Sequence, residues 1–162
     1  MRANENIKRA CYAVATLSPL GEWWLGGVFA SALGVPFLLL FQSVYWLGNL
    51  LFYWTIAFTA ILFLIITQWA LHAYPEKAPK AIVCDKILGV MISLAGVPLR
   101  WRIIFFGFVL FHLLNTLKPF AWYRRLIEYI EKLPGVFGVL GAEILSGVLV
   151  NFVLQLLVWV MS

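Results

Sequence analysis

The fold class that the sequence predicts is all-α: an integral membrane helical bundle with three or four spans plus shorter packed or interfacial helices. Three observations carry that prediction. The chain is 64% hydrophobic and only 12% charged, whereas a soluble domain carries about 25% charged residues, so it cannot coat itself with polar surface. No charged residue lies between Glu22 and Glu76, a run too long for one crossing of roughly 20 residues. The apolar runs are flanked by tryptophan and by basic residues, the types that mark the two faces of a bilayer. A length of 162 residues suits one domain spanning 1–162.

At the N-terminus, Arg2, Lys8 and Arg9 precede a stretch, Ala10–Ser18, that is short, interrupted by polar residues and followed by no small-residue cleavage pattern, so it does not read as a cleavable signal. The uncharged run divides near Gln42–Asn49, which predicts a first span over about 24–41 and a second over about 50–71. Trp23, Trp24, Trp46 and Trp54 suit interfacial positions. Two crossings return the chain to its starting side, so Lys77, Lys80 and Lys86 share a compartment with Arg2, Lys8 and Arg9, and the positive-inside rule makes it the cytoplasm. Tyr74–Lys80, with Pro75 and Pro79, reads as a loop. Ile87–Leu99 and Ile103–Leu117 are apolar but short, which predicts a helical pair packed within the bundle on either side of Arg100-Trp101-Arg102.

Pro119 stops or kinks the helix that carries Lys118. Residues 120–133 read as an amphipathic surface helix, with Arg124 and Glu128, then Glu128 and Lys132, at i,i+4 spacing. Trp122, Tyr123, Ile127 and Ile130 would face headgroups or neighbouring helices. A last span over about 141–161 contains a single carboxylate, Glu143. The two cysteines, Cys11 and Cys84, lie far apart with no metal-ligand spacing around them. A net charge of +5 in so apolar a chain fits the anionic inner leaflet and argues against a nucleic-acid partner.

Polar groups at the edges of apolar runs point to chemistry, because ionisable side chains in a bilayer are costly and are paired or functional. Asp85, Asn115, Lys118 and Glu143 stand out in this way. Asp85 precedes Gly89 by four residues and Glu143 precedes Gly147 by four, so each acid shares a helix face with a glycine against which another backbone can close. His112, Asn115 and Lys118, at steps of three, form a polar stripe on a third helix. Two carboxylates and an amide oxygen suit magnesium, which takes oxygen donors and is completed by substrate phosphate and water. A lysine would add a point charge for the phosphate.

Each residue also has a purely structural role open to it. Asp85 suits a helix N-cap, and Glu143 a helix-start charge favoured by the dipole. Asn115 can bond a neighbouring helix. Lys118 can snorkel at a helix end, His112 can simply pack, and Arg124 and Arg125 can rest on headgroups. No P-loop, G-x-S-x-G or HExxH pattern is present, and Ser/His/Asp catalysis finds no support.

Three segments together resemble phosphatidylglycerophosphatase A, a bacterial membrane lipid phosphatase family whose pattern is D-E-x-x-G, then F-R-x-x-D-x-x-K-P, then a glycine-containing stretch leading to D-D-x-x-A-G. Here they read Asp85-Lys86-Ile87-Leu88-Gly89, Phe111-His112-Leu113-Leu114-Asn115-Thr116-Leu117-Lys118-Pro119, and Gly138 through Ala142-Glu143-Ile144-Leu145-Ser146-Gly147. Order and internal spacing are kept. An N-terminal Leu17-Ser18-Pro19 followed by a glycine-containing stretch, Gly27–Pro36, loosely extends the match. Five family positions depart: Lys86 replaces an acid, His112 an arginine, Asn115 an aspartate, and Ala142-Glu143 a pair of aspartates.

The resemblance implies magnesium-dependent hydrolysis of the phosphate monoester of phosphatidylglycerophosphate to phosphatidylglycerol, in the bacterial inner membrane and from its cytoplasmic face. It makes Asp85, Glu143 and Lys118 the catalytic set, and Asp85, Asn115 and Glu143 the ligands of a single Mg2+. Lys86, His112, Lys118, Arg124 and Arg125 would hold the anionic phospholipid substrate. Lys86 would put a fixed positive charge where the family has an acid. The lost carboxylates leave an alternative, a catalytically inactive descendant that binds anionic lipid or a protein partner.

Overall fold

A computed structural model describes residues 2–17, 25–45, 49–73, 81–117 and 120–161. Among them the secondary structure is helical throughout, in seven helices. These are α1 (Arg2–Thr16), α2 (Gly26–Tyr45), α3 (Asn49–Ala73), α4 (Cys84–Ser93), α5 (Trp101–Leu117), α6 (Ala121–Glu131) and α7 (Val136–Met161).

The centre of the bundle is the shortest helix. In α4, Cys84, Asp85, Ile87, Leu88, Gly89, Val90, Met91 and Ser93 are all buried, and the helix packs most extensively against α7 and α2. Close approach is what the glycines allow. A Cβ on Gly147 would lie 2.5 Å from the carbonyl oxygen of Gly89, and one on Gly34 would lie 2.8 Å from that of Ile87. Backbone contact of this kind takes the place of the hydrophobic drive that lipid does not supply. Around it Leu38, Phe52, Ile56, Met91, Phe111 and Leu154 close an apolar core.

The described parts of α2 and α3 stop at Tyr45 and resume at Asn49; residues 46–48, where the break near Gln42–Asn49 was expected, lie outside the described residues. The short pair flanking Arg100-Trp101-Arg102 is also present as α4 and α5, though α4 lies chiefly on α7 and α2 rather than on α5. The N-terminal helix α1, which the sequence pattern did not announce, packs along α3. It ends where Leu17 takes a left-handed φ of 45°, and its Ala15 carbonyl accepts the Val83 N–H at 2.9 Å, tying it to the start of α4.

Two described helices are long and apolar enough to cross a membrane, Leu51–Ala73 and Val136–Val160. A third crossing follows if α5 and α6, bent from one another by 80°, form one broken span. The expected first span corresponds to α2, which carries Pro36; its part over Gly26–Leu40 counts as a shorter apolar helix among the described residues. The described helices thus support a membrane-associated bundle with two or three crossings by length and composition, against the three or four expected. Trp54, Trp101, Trp122 and Trp159 are exposed as interfacial anchors would be; Trp23, Trp24 and Trp46 lie outside the described residues, as does the expected loop Tyr74–Lys80.

Candidate functional site

The start of α4 follows Val83, which has no capping side chain. Asp85 therefore does not cap from outside, as one structural reading had it. It sits in the first turn, where a carboxylate meets the positive end of the helix dipole. Its Oδ1 accepts the Lys86 backbone N–H at 2.7 Å, and its Oδ2 accepts from Lys86 Nζ at 3.3 Å. The same ammonium donates to Glu143 Oε1 at 3.3 Å. Glu143 enters from α7, one turn before the Gly147 notch, so the backbone contact that packs the two helices also sets their acids across from one another.

Glu143 Oε2 accepts from Asn115 Nδ2 at 2.5 Å. The Asn115 carbonyl oxygen accepts from Ser146 Oγ at 2.5 Å and from Tyr123 Oη at 3.4 Å, and Tyr123 and Ser146 are joined at 2.7 Å. Segments distant in the chain, 85–86 on α4, 115 on α5, 123 on α6 and 143–146 on α7, thus form one polar network. Asp85 and Glu143 side chains are 7% and 14% exposed, against 32% for Lys86, so the lysine is the most open side chain of the trio. It opens on a cleft of about 300 Å3 lined by Asp85, Lys86, Glu131, Gly138, Ala142 and Glu143 among others.

Burial raises the Asp85 carboxyl to about 6, the Lys86 charge holding it down and the Glu143 charge pushing it further up. For Lys86, burial alone would lower the ammonium, but the two carboxylates outweigh it and its pKa stands above the usual lysine range.

Of the residues singled out in the sequence, Asp85, Lys86, Asn115 and Glu143 come together. His112 turns elsewhere: its Nε2 lies 2.8 Å from Ser31 Oγ on α2, while Ser31 donates to the Val28 carbonyl. With the one serine proton so used, the imidazole Nε2–H is the donor. Its ring meets the edges of Phe108 and Phe111. Arg124 and Arg125 are exposed on α6 and are not among the residues lining the cleft. Lys118 lies outside the described residues.

Sequence reasoning missed Ser146 and gave Tyr123 no part in the site. Ser146 stands three residues after Glu143, on the same helical face, and that spacing was the available signal. Tyr123 was expected at headgroups or neighbours; it is 1% exposed and packs with Ile127 against Ala142. At Ala142, where the resembled pattern has an acid, this chain has an apolar contact that seats α6 on α7.

Whether these donors suit magnesium is decided by what they already hold. Every oxygen of Asp85 and Glu143 has a protein donor. The position that bridges the two acids belongs to the Lys86 ammonium, whereas Mg2+ would need oxygens at about 2.1 Å. Asn115 turns its N–H2 toward Glu143 and its oxygen away, the reverse of a ligand. Among the described residues no group of three or more His, Cys, Asp or Glu side chains gathers as metal donors. In this arrangement the donor set does not fit a divalent ion.

A helical, membrane-associated protein with a buried acid–lysine–amide network beside a cleft is the class that fold and site define. The match to known families is specific: phosphatidylglycerophosphatase A aligns with residues 13–158. The chain belongs to that family, one of phospholipid-metabolising hydrolases. No curated protein matches the chain significantly, and no solved structure does.

Proposed function

We propose that the protein removes the terminal phosphate of phosphatidylglycerophosphate, giving phosphatidylglycerol and inorganic phosphate, at the cytoplasmic face of a bacterial inner membrane. One observation supports this above others: the acids of two separate family segments, Asp85 and Glu143, meet across one ammonium at the mouth of a cleft.

Lys86 Nζ carries three N–H groups. Two are directed at the carboxylates, which leaves one for a phosphoryl oxygen arriving through the cleft. Asp85, with its carboxyl near 6, is the proton carrier. Its carboxylate takes a proton from the attacking water as the water oxygen bonds to phosphorus, and the proton passes to the glycerol oxygen as the ester P–O bond breaks. Glu143 is held in register by Asn115, which Ser146 and Tyr123 orient in turn. Lys118, one residue beyond the described end of α5, would add a second cation for the phosphate, and Arg124 and Arg125 would draw anionic lipid to the surface. Magnesium enters this reading only by displacing Lys86 from the acid pair.

The test is phosphate release from the purified protein with phosphatidylglycerophosphate in mixed micelles, run in a chelator and again with Mg2+. Release that is lost in both Asp85→Asn and Glu143→Gln supports the reading. Absence of release under both ionic conditions while the lipid still binds would overturn it.

A further inference from the structure

We infer that Lys86 is the resident cation of this site: tethered to α4, its ammonium holds Asp85 and Glu143 together in place of a divalent ion, and such an ion binds only by evicting it. The inference deepens the functional reading, since the same cleft is concerned, but it rests on contacts and not on turnover.

Three features of the structure converge on it. The ammonium stands 3.3 Å from each carboxylate, at the bridging position where a shared ion would stand. The remaining oxygens are occupied by the Lys86 N–H and the Asn115 amide. The third feature lies on another helix. Gly27 of α2 has no side chain where the stem of Lys86 runs; a Cβ there would lie 2.6 Å from Cδ and 2.8 Å from Cε. The lysine therefore does not hang loosely beside two acids. Its methylenes lie in a notch that aims the ammonium inward.

Charge bookkeeping gives the consequence. Two carboxylates against one ammonium leave the trio at one net negative charge. Without Lys86, two poorly exposed acids would face one another with no counter-charge, a costly arrangement in a medium of low dielectric. They would then be a far better seat for a dication, because a like charge a few ångströms away no longer opposes it.

The experiment reads binding and stability in the full chain in detergent, with Mn2+ as probe. Thermal unfolding is followed in EDTA and with added Mn2+, and bound Mn2+ is measured by electron paramagnetic resonance. The wild-type midpoint is expected to be indifferent to Mn2+, whereas Lys86→Met is expected to unfold earlier in EDTA and to be restored by Mn2+, binding it at least about tenfold more tightly than wild type. Lys86→Arg, which keeps the charge, should stay close to wild type. Gly27→Ala, which keeps Lys86 but crowds its stem, should move toward Lys86→Met. Equal Mn2+ affinity in wild type and Lys86→Met would overturn the inference. If Lys86→Met folds only when Mn2+ is present, the inference is supported; if it folds under neither condition and Gly27→Ala binds Mn2+ no better than wild type, it is overturned. A protein that releases no phosphate can still pass this test, so its failure and that of the hydrolytic reading are separable.

Discussion

The helices α3 and α4 are both rich in apolar residues, yet they live in different solvents. Over 25 residues α3 turns Trp54, Phe58, Ile61 and Ile65 outward, the surface of a helix that meets lipid. Two of its threonines turn back on their own helix, Thr55 Oγ1 donating to the Leu51 carbonyl and Thr59 Oγ1 to that of Thr55, while the third, Thr67, meets Cys84 Sγ of α4 at 3.2 Å. The 10 residues of α4 are walled in by α7, α2, α5 and the inner face of α3 itself, and its charged groups are satisfied by other helices or by each other. The lesson is that hydrophobicity alone did not decide which helix spans. Length did, and protein around a helix, not lipid, is what lets it carry an aspartate and a lysine. Each of the following changes should hurt the α4 neighbourhood and leave α3 indifferent.

The largest contrast is catalytic. Asp85→Asn and Glu143→Gln should each lower phosphate release by roughly 100-fold or more, the scale of losing a positioned acid or base. Phe58→Ala, on the outer face of α3 where Phe58 is 67% exposed, should leave the rate within about twofold. Steady-state rates on the same lipid micelles check this, and equal losses at Phe58 and Asp85 would erase the distinction between the two helices.

Next comes packing. Gly147→Val puts a branched side chain where even a Cβ would lie 2.5 Å from the Gly89 carbonyl oxygen and 3.2 Å from Ile92 Cβ. Backbone cannot yield as a flexible side chain does, so the loss should reach about 3 kcal/mol. Ala57→Val, which adds two methyl groups on the exposed face of α3, should stay within about 0.5 kcal/mol. Thermal unfolding in one detergent compares the two directly.

A smaller effect is expected at the far end of α4. There Asn151 Nδ2 donates to the Ser93 carbonyl at 3.1 Å and the Ala95 carbonyl at 2.7 Å, closing the helix end. Asn151→Ala should cost about 1–3 kcal/mol, since it leaves backbone carbonyls without their donor. The same thermal scan would read it, and a loss under about 0.5 kcal/mol would mean that water replaces the amide there.

These contrasts also mark what the sequence could say. The glycine four residues after each acid was enough to foresee a close contact at Gly89 and Gly147, because the missing side chain is itself the signal. Asp85, Asn115 and Glu143 were legible as polar groups in a medium that penalises them. The partner of each was not legible. Lys86 adjoins Asp85 in sequence, but that its ammonium reaches Glu143 depends on the notch at Gly27, and nothing in residues 26–31 states that α2 will pass there. His112 illustrates the converse: its stripe with Asn115 is real on the helix, yet a rotation of a few tens of degrees gives it to Ser31 instead of the acids. Crossing number was hard to read because α5, followed by Pro119, is bent by 80° from α6, so apolar length there did not translate into straight span.

The subtlest difference between α3 and α4 should appear on titration. From Trp54 to Leu71 α3 has no acidic or basic side chain, so nothing in that stretch answers to pH. Asp85 does: burial lifts its carboxyl from the usual 3.8 to about 6, with Lys86 opposing the rise and Glu143 adding to it. Below about 4 the group is protonated in folded and unfolded chains alike, and its contribution to stability is fully present. Between about 4 and 6 the unfolded chain has released a proton that the folded chain keeps, so stability is lost as pH rises through the folded value. Lys86 stays charged across this window, its ammonium being held above the normal lysine range by the same two acids. The unfolding midpoint of wild type should therefore fall more between pH 5 and pH 7 than that of Asp85→Asn, which cannot titrate at this position. Parallel pH profiles for the two proteins would show that the carboxylate of Asp85 is as stable buried against Lys86 as it is in water, and the distinction between a lipid-facing helix and one enclosed by protein would lose its electrostatic half.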